Sequence, residues 1–242
     1  MRRLFLVSAL LAAAGLFAML RLRDDRPVKT PDLPGSALAA IGGLRSLAAE
    51  IVWLRADRLQ EEGRYVELAQ LATTLTFLEP HTPEVWSFAA WNLSYNVSVM
   101  MPTLEDRWRW VEAALKLLRD EGLRLNPEEP ELYRELAWLF QIKMGLDVDD
   151  AAPIYRAKWR EIAGEVAGSG DWASLRMDRA AMDEVERATG FSDWGDPLLS
   201  AVYWAGMGLR RGASGSTRQF LEQTIVQSVR IMQKNSKGRS DS

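Results

Sequence analysis

Few residues of this 242-residue chain are of a type that does chemistry, and they are poorly grouped. There is no Cys and one His, His81. Without Cys the chain has no thiolate nucleophile, disulfide framework, iron-sulfur or zinc-finger ligation, or bacterial lipoprotein anchor, and a lone His excludes a multi-histidine metal site within one chain. His81 lies between Pro80 and Thr82 in a turn, with no neighbour in the sequence to activate it. Asp147-Val148-Asp149-Asp150 would attract a cation, but it lacks the glycine and terminal glutamate of a calcium loop and reads as a helix N-cap cluster. Gly212-Ala213-Ser214-Gly215-Ser216 follows a helix instead of a strand, the wrong context for a phosphate loop. Carboxylates occur throughout, so a pair of them discriminates nothing. The expectation is a chain with no catalytic, cofactor-binding or metal-binding residues. Its unusual resource is ten Trp.

Charge is divided along the chain. Residues 27–204 sum to -11, between ends of +3 (1–26) and +5 (205–242), within a net charge of -3. An acidic body argues against nucleic acid, because phosphate binding needs a basic footprint. Twenty-four Arg against six Lys fits a GC-rich bacterial genome.

The elements that must position any site begin with an apolar run. Residues 4–20 carry no charge and lie between Met1-Arg2-Arg3 and Arg21-Leu22-Arg23-Asp24-Asp25-Arg26. Seventeen residues is the lower limit for crossing a hydrocarbon core, with the flanking Arg able to snorkel. Residues 1–26 are expected to be a membrane anchor or signal segment. The anchor is preferred because the run continues past the candidate cleavage site at Ala12-Ala13-Ala14. The expected location is a bacterial inner membrane, crossed once, with the soluble domain in the periplasm. Residues 27–35, with Pro27, Pro31 and Pro34, read as a stiff spacer.

From Ser36 onward the chain reads as all-α. Helices are predicted at 37–62, 64–78, 83–99, 103–125, 130–144, 150–167, 171–188, 197–211 and 216–234, with no alternating β-branched runs. Thr82-Pro83-Glu84 and Asp196-Pro197 each place an N-cap before a first-turn proline, and Ser216-Thr217-Arg218-Gln219 has capping-box spacing. Residues 212–235 are expected to form a C-terminal capping helix, with its stripe of Leu221, Ile225, Val229 and Met232 closing the last hairpin, and 236–242 a disordered tail.

An internal repeat sets the organisation of 36–211. Pro80-His81-Thr82-Pro83-Glu84-Val85-Trp86 recurs 47 residues later as Pro127-Glu128-Glu129-Pro130-Glu131-Leu132-Tyr133, and Ala90-Trp91 falls on Ala137-Trp138. Self-similarity at this period is the signature of stacked helical hairpins. Gly63-Arg64-Tyr65 and the closing Phe77-Leu78-Glu79-Pro80 resemble the second half of a tetratricopeptide repeat. Trp86 with Ala90, and Tyr133, Leu136, Ala137 and Phe140, resemble that family's first-helix pattern, and Leu123-Arg124-Leu125-Asn126-Pro127 its closing segment. Departures are Arg55, where the pattern has leucine, and an insertion around 97–107.

The resemblance implies a short right-handed solenoid whose first helices line a concave groove. Groove positions then fall on Trp53, Asp57 and Gln60; on Glu84, Trp91 and Tyr95; and on Glu131, Arg134, Trp138 and Gln141. Aromatics flanked by Arg and acids have the composition of binding hot spots, suited to a helix or extended peptide of a partner protein. The alternative is that Trp91 and Trp138 wedge between first helices. Trp86, Trp108, Trp159 and Trp204 are expected in the core. The function expected is a membrane-anchored scaffold that holds a protein or peptide ligand at the cell envelope, within a larger membrane complex. Two other readings stand beside it: a helical envelope hydrolase acting on glycan through two carboxylates, and a purely structural subunit whose groove is filled by its own helix.

Overall fold

The structure is a computed structural model that describes residues 35–240, with side chains over 43–238. All regular structure among them is helical. The predicted anchor (4–20) and almost all of the spacer (27–35) lie outside the described residues. No helix among the described residues is long and apolar enough to cross a membrane. The chain divides into two units, 1–43 and 44–242, and the second holds the helical body.

Helices α1 (Gly35–Glu61) and α2 (Tyr65–Leu78) form the first hairpin. Gly63, at φ 68°, turns the chain between them, a backbone conformation that glycine adopts without strain. Next comes α3 (Pro83–Trp91), continued by a π-helical stretch (Asn92–Val97) and a 3-10 turn (Ser98–Met100). Helix α4 (Leu104–Lys116) is capped by Thr103, whose hydroxyl accepts from the Asp106 N–H, and extends through Leu117–Gly122 and Leu123–Leu125. Helix α5 (Pro130–Trp138) continues as a π-helical stretch (Leu139–Gly145), and α6 (Ala152–Ser169) follows. The order ends with α7 (Arg179–Thr189), α8 (Pro197–Arg210) and α9 (Gly215–Ser240).

The 47-residue repeat is visible in the backbone. In both copies a proline occupies the first turn, nine α-helical residues end at Ala-Trp, and the helix then widens into π geometry. Both also make the same bond to a carbonyl six residues back. Trp86 Nε1 donates to the Pro80 carbonyl at 3.0 Å, and the Tyr133 hydroxyl to the Pro127 carbonyl at 2.7 Å. The large aromatic thus fills the core and ties down the turn before its own helix, consistent with the rule that buried Trp and Tyr find partners for their polar ends.

Two predicted features do not form. The helix expected at 171–188 is broken into a 3-10 turn (Trp172–Leu175) and α7, because Arg176 adopts φ 55° and the Asp178 carboxylate caps the Ala181 N–H at 2.8 Å. The capping box at 216–219 is absent, because α9 begins at Gly215 and Ser216 lies inside the helix rather than before it. Helix α9 also runs past its predicted end, to Ser240.

The core centres on α8. Pro197, Leu198, Leu199, Ser200, Ala201, Val202, Tyr203, Trp204 and Ala205 are all buried, so the helix is enclosed on every side. It packs against α5, α7 and α9. Trp86, Trp108, Trp159 and Trp204 are core residues as expected, joined by Trp172 and Trp194. Around α8 the helices approach closely where side chains are missing. A Cβ on Gly208 would lie 2.8 Å from Leu221 Cδ1 and 3.0 Å from Tyr133 Cβ. The glycine is therefore what lets α8 touch α9 and α5 at once. Replacing Gly208 with Val is expected to lower unfolding stability by about 1–3 kcal/mol through overpacking, measured by urea denaturation. A loss under about 0.5 kcal/mol, the range for a free surface position, would mean the crossing is loose.

Candidate interaction face and charged recess

The positions expected to line a groove meet different fates along the chain. On α1, Asp57 and Gln60 are exposed, while Trp53 is half-buried, its ring against Phe88 (centroids 5.0 Å) and its Nε1 donating to Glu79 at 3.3 Å. On α3, Glu84 is exposed and Trp91 is 43% exposed, stacked on Tyr95 at 5.9 Å. On α5 the picture reverses, because α9 lies across these residues. The Trp138 ring meets Phe220 at 5.6 Å, the Arg134 guanidinium sits over the same ring at 5.7 Å, and Glu131 accepts from Thr217. Gln141 is buried, donating from one amide nitrogen to the Thr224 carbonyl (3.1 Å) and Ser228 Oγ (3.0 Å).

Trp91 and Trp138 therefore occupy equivalent repeat positions in unlike surroundings. Trp138 is wedged between α3 and α9, its Nε1 donating to the Tyr95 hydroxyl at 2.6 Å. Trp91 presents its ring to solvent. The expected groove face is filled by the chain's own helix at α5 and open at α3. No protein-family model, curated protein or solved structure matches this chain. The face must be read from its own geometry.

Beside Tyr95 the open part of the face leads into a recess of about 480 Å³, lined by Val99, Arg107, Ile142, Lys143, Val148, Asp149 and Asp150 as well. Its floor is a group that sequence patterns do not announce. Lys143 is 2% exposed, and its ammonium donates to Asp149 Oδ2 while lying 4.7 Å from the Tyr95 ring centroid and 5.7 Å from that of Tyr155. Asp149 Oδ1 accepts from the Ala151 N–H at 2.9 Å. The expected N-cap does not form, because α6 starts after Ala151 with no side-chain cap; Asp149 instead closes a turn just before the helix and pairs with Lys143. Arg107 pairs with Asp150 at 2.5 Å and reaches within 3.8 Å of Asp149. Among the described residues, no cluster of His, Cys, Asp and Glu could hold a metal ion.

Burial pushes the Asp149 carboxyl up, but the Lys143 ammonium and the Ala151 N–H outweigh it and hold the group below the usual carboxylate value. Burial also raises the Tyr95 phenol, against the pull of the Trp138 N–H, so Tyr95 stays neutral at physiological pH. Glu135 is raised by burial, with Arg134 opposing.

A group whose folded pKa is lowered adds stability that is complete above its unfolded value and is lost as pH falls through the folded one. Lys143→Met strands the carboxylate of a buried pair, so it should cost about 3–5 kcal/mol at pH 7. Without the ammonium, burial favours the protonated acid, so the deficit should shrink as pH falls from 7 towards about 4 and be smallest below it, where Asp149 is protonated in the unfolded chain too. Denaturant melts of parent and variant from pH 3 to 7 check this. A deficit independent of pH would mean that Lys143 acts by packing alone.

Proposed function

We propose that the protein is a membrane-anchored, tetratricopeptide-like scaffold that binds another protein at the bacterial envelope, with its soluble domain in the periplasm. The observation that supports this best is the half-filled face. Repeated first helices present equivalent aromatics, α9 occupies the α5 stretch, and Trp91 beside Tyr95 stays open next to a recess with charged walls. An exposed Trp stacked on Tyr95, which itself lines a recess walled by an Arg–Asp pair, has the composition of an interface hot spot. The solenoid reading draws on the doubled proline, aromatic and Ala-Trp pattern and on the repeated bond from each large aromatic to its preceding turn. The anchor would keep the domain near partners in the same bilayer and raise their effective concentration.

The purely structural reading keeps part of its force, since α9 does fill the α5 stretch of the face. Binding would then be confined to the α1–α3 end. The two-carboxylate hydrolase has less support. Glu135 and Asp149 are shifted in opposite directions, as an acid and a base would be. Yet both Asp149 oxygens already accept, from Lys143 and Ala151, and Glu135 accepts from Arg134 at 2.5 Å. Of the two acids only Asp149 lines the recess, so they do not face each other across it.

Photo-crosslinking residues placed singly at Trp91 and at Trp138 in native membranes test the proposal. Trp91 is expected to capture a partner, while Trp138 gives only a link within the chain, to α9. In parallel, Trp91→Ala should cost about 0.5–1.5 kcal/mol, for its stacking on Tyr95, whereas Trp138→Ala should cost about 3 kcal/mol or more. Equal partner capture from both positions would remove the half-filled face, and capture from neither would remove the binding role at Trp91.

A further inference from the structure

Helix α1 has two apolar stripes, and the body uses only one. Ala49, Val52, Trp53, Ala56 and Leu59 face inward, against α2 and α3. On the opposite side Leu44, Leu47, Ile51 and Leu54 are 68%, 59%, 68% and 71% exposed. Their spacing of three, four and three residues is that of heptad positions a, d, a and d. We propose that this stripe pairs with the same stripe of a second copy, as a short parallel two-stranded coiled coil.

Charges beside the stripe select a second copy and its direction. With Leu44 and Ile51 at a, Glu50 occupies a g position and Arg55 the following e position, and both are exposed. In a parallel pair, g faces the next e of the partner, so Glu50 meets Arg55 twice by symmetry. An antiparallel pair would set Glu50 against Glu50. A lipid surface fits less well, because Glu50 and Asp57 flank the stripe where a membrane-lying helix carries Lys and Arg. Ile at one a position with Leu at both d positions favours two strands.

Two heptads are too short to pair in dilute solution. Pairing therefore rests on the proposed anchor, which would concentrate copies in one bilayer with their N-termini on the same side, as a parallel pair requires.

The absence of Cys makes the test clean. Single Leu47→Cys and Leu54→Cys chains, full length and in their membranes, should cross-link to themselves with a short bis-maleimide. Gln70→Cys on exposed α2 should not. Adding Glu50→Arg to Leu47→Cys should cut the yield about fivefold or more by setting Arg against Arg, and so should adding Arg55→Glu. Mixing those two chains should restore a heterodimer, since every facing pair is again opposite in sign. Rescue by mixing has no counterpart in a folding defect, and circular dichroism checks that each variant is intact. Position 47 reactive to an aqueous maleimide but unlinked, or shielded and unlinked because lipid or residues 4–20 of the same chain cover it, overturns the pairing. Carbonate-resistant pelleting of the same samples reads the anchor separately. If the chain does not pellet, the same cross-links are read on purified protein at about 1 mM, the effective concentration that tethering supplies. Their absence there overturns the pairing too.

Discussion

The constraint on which the fold depends is that α8 has no side to show water. A helix that is apolar all round must be enclosed. From Pro197 to Ala205 every residue is buried, so neighbours are needed on each flank. Helix α5 supplies one, α7 another, and α9 closes the third. Gly208 sets how near α9 can come, because Leu221 and Tyr133 fill the space where its Cβ would lie. At the opposite end of α8, Gly145 allows the same intimacy with Leu198, whose Cδ2 lies 2.5 Å from where a Cβ would sit. The position of α9 across α5 thus follows from enclosing α8, and the covering of Trp138 and Gln141 follows from the position of α9.

This explains why one repeated pattern yields two surfaces. Trp91 and Trp138 follow the same alanine, end the same nine-residue helix and precede the same π-helical widening. Their own helices do not distinguish them. What differs is the neighbour: Phe220 of α9 lies against Trp138, and no ring from α9 reaches Trp91. A sequence repeat predicts equivalent positions, while exposure depends on what the rest of the chain lays over them.

Much of the fold is legible in the sequence because its helix boundaries are written in local chemistry. Pro83, Pro130 and Pro197 open helices where proline has no N–H to lose, Asp196 caps α8 through the Leu198 N–H, and Gly63 marks the turn before α2. Less is legible where local signals compete. Residues 171–188 have an unbroken helical composition, yet Asp178 caps a new start, and its N–H donates to the Tyr203 hydroxyl of α8 at 2.8 Å, a partner that no local pattern reveals. The π-helical stretches leave the apolar period almost unchanged and are invisible to it. Lys143 is hidden for a related reason. A lysine in a helix reads as solvent-facing, and only the packing of the π-helical stretches after α3 and α5 against α6 and the loop before it shows that Lys143 is enclosed by two tyrosines and an aspartate.

The contact between α9 and α5 also differs in kind from the core beneath it. Against α8, α9 offers Leu221, which can slide on apolar neighbours at little cost. Against α5 and its π-helical continuation it offers the Thr217 hydroxyl, which donates to Glu131, and the Ser228 hydroxyl and Thr224 carbonyl, which accept from Gln141. A shift of α9 by one residue would turn the Thr217 and Ser228 hydroxyls about 100° away and cost Gln141 its side-chain acceptor, a loss of about 0.5–1.5 kcal/mol for that bond alone. Apolar burial holds α9 on the body, and the polar bonds fix where along α5 it lies. The same register sets Phe220 beside Trp138, so the boundary between the filled and open parts of the face is set by hydrogen bonds, not by the apolar stripe that marks the helix in the sequence.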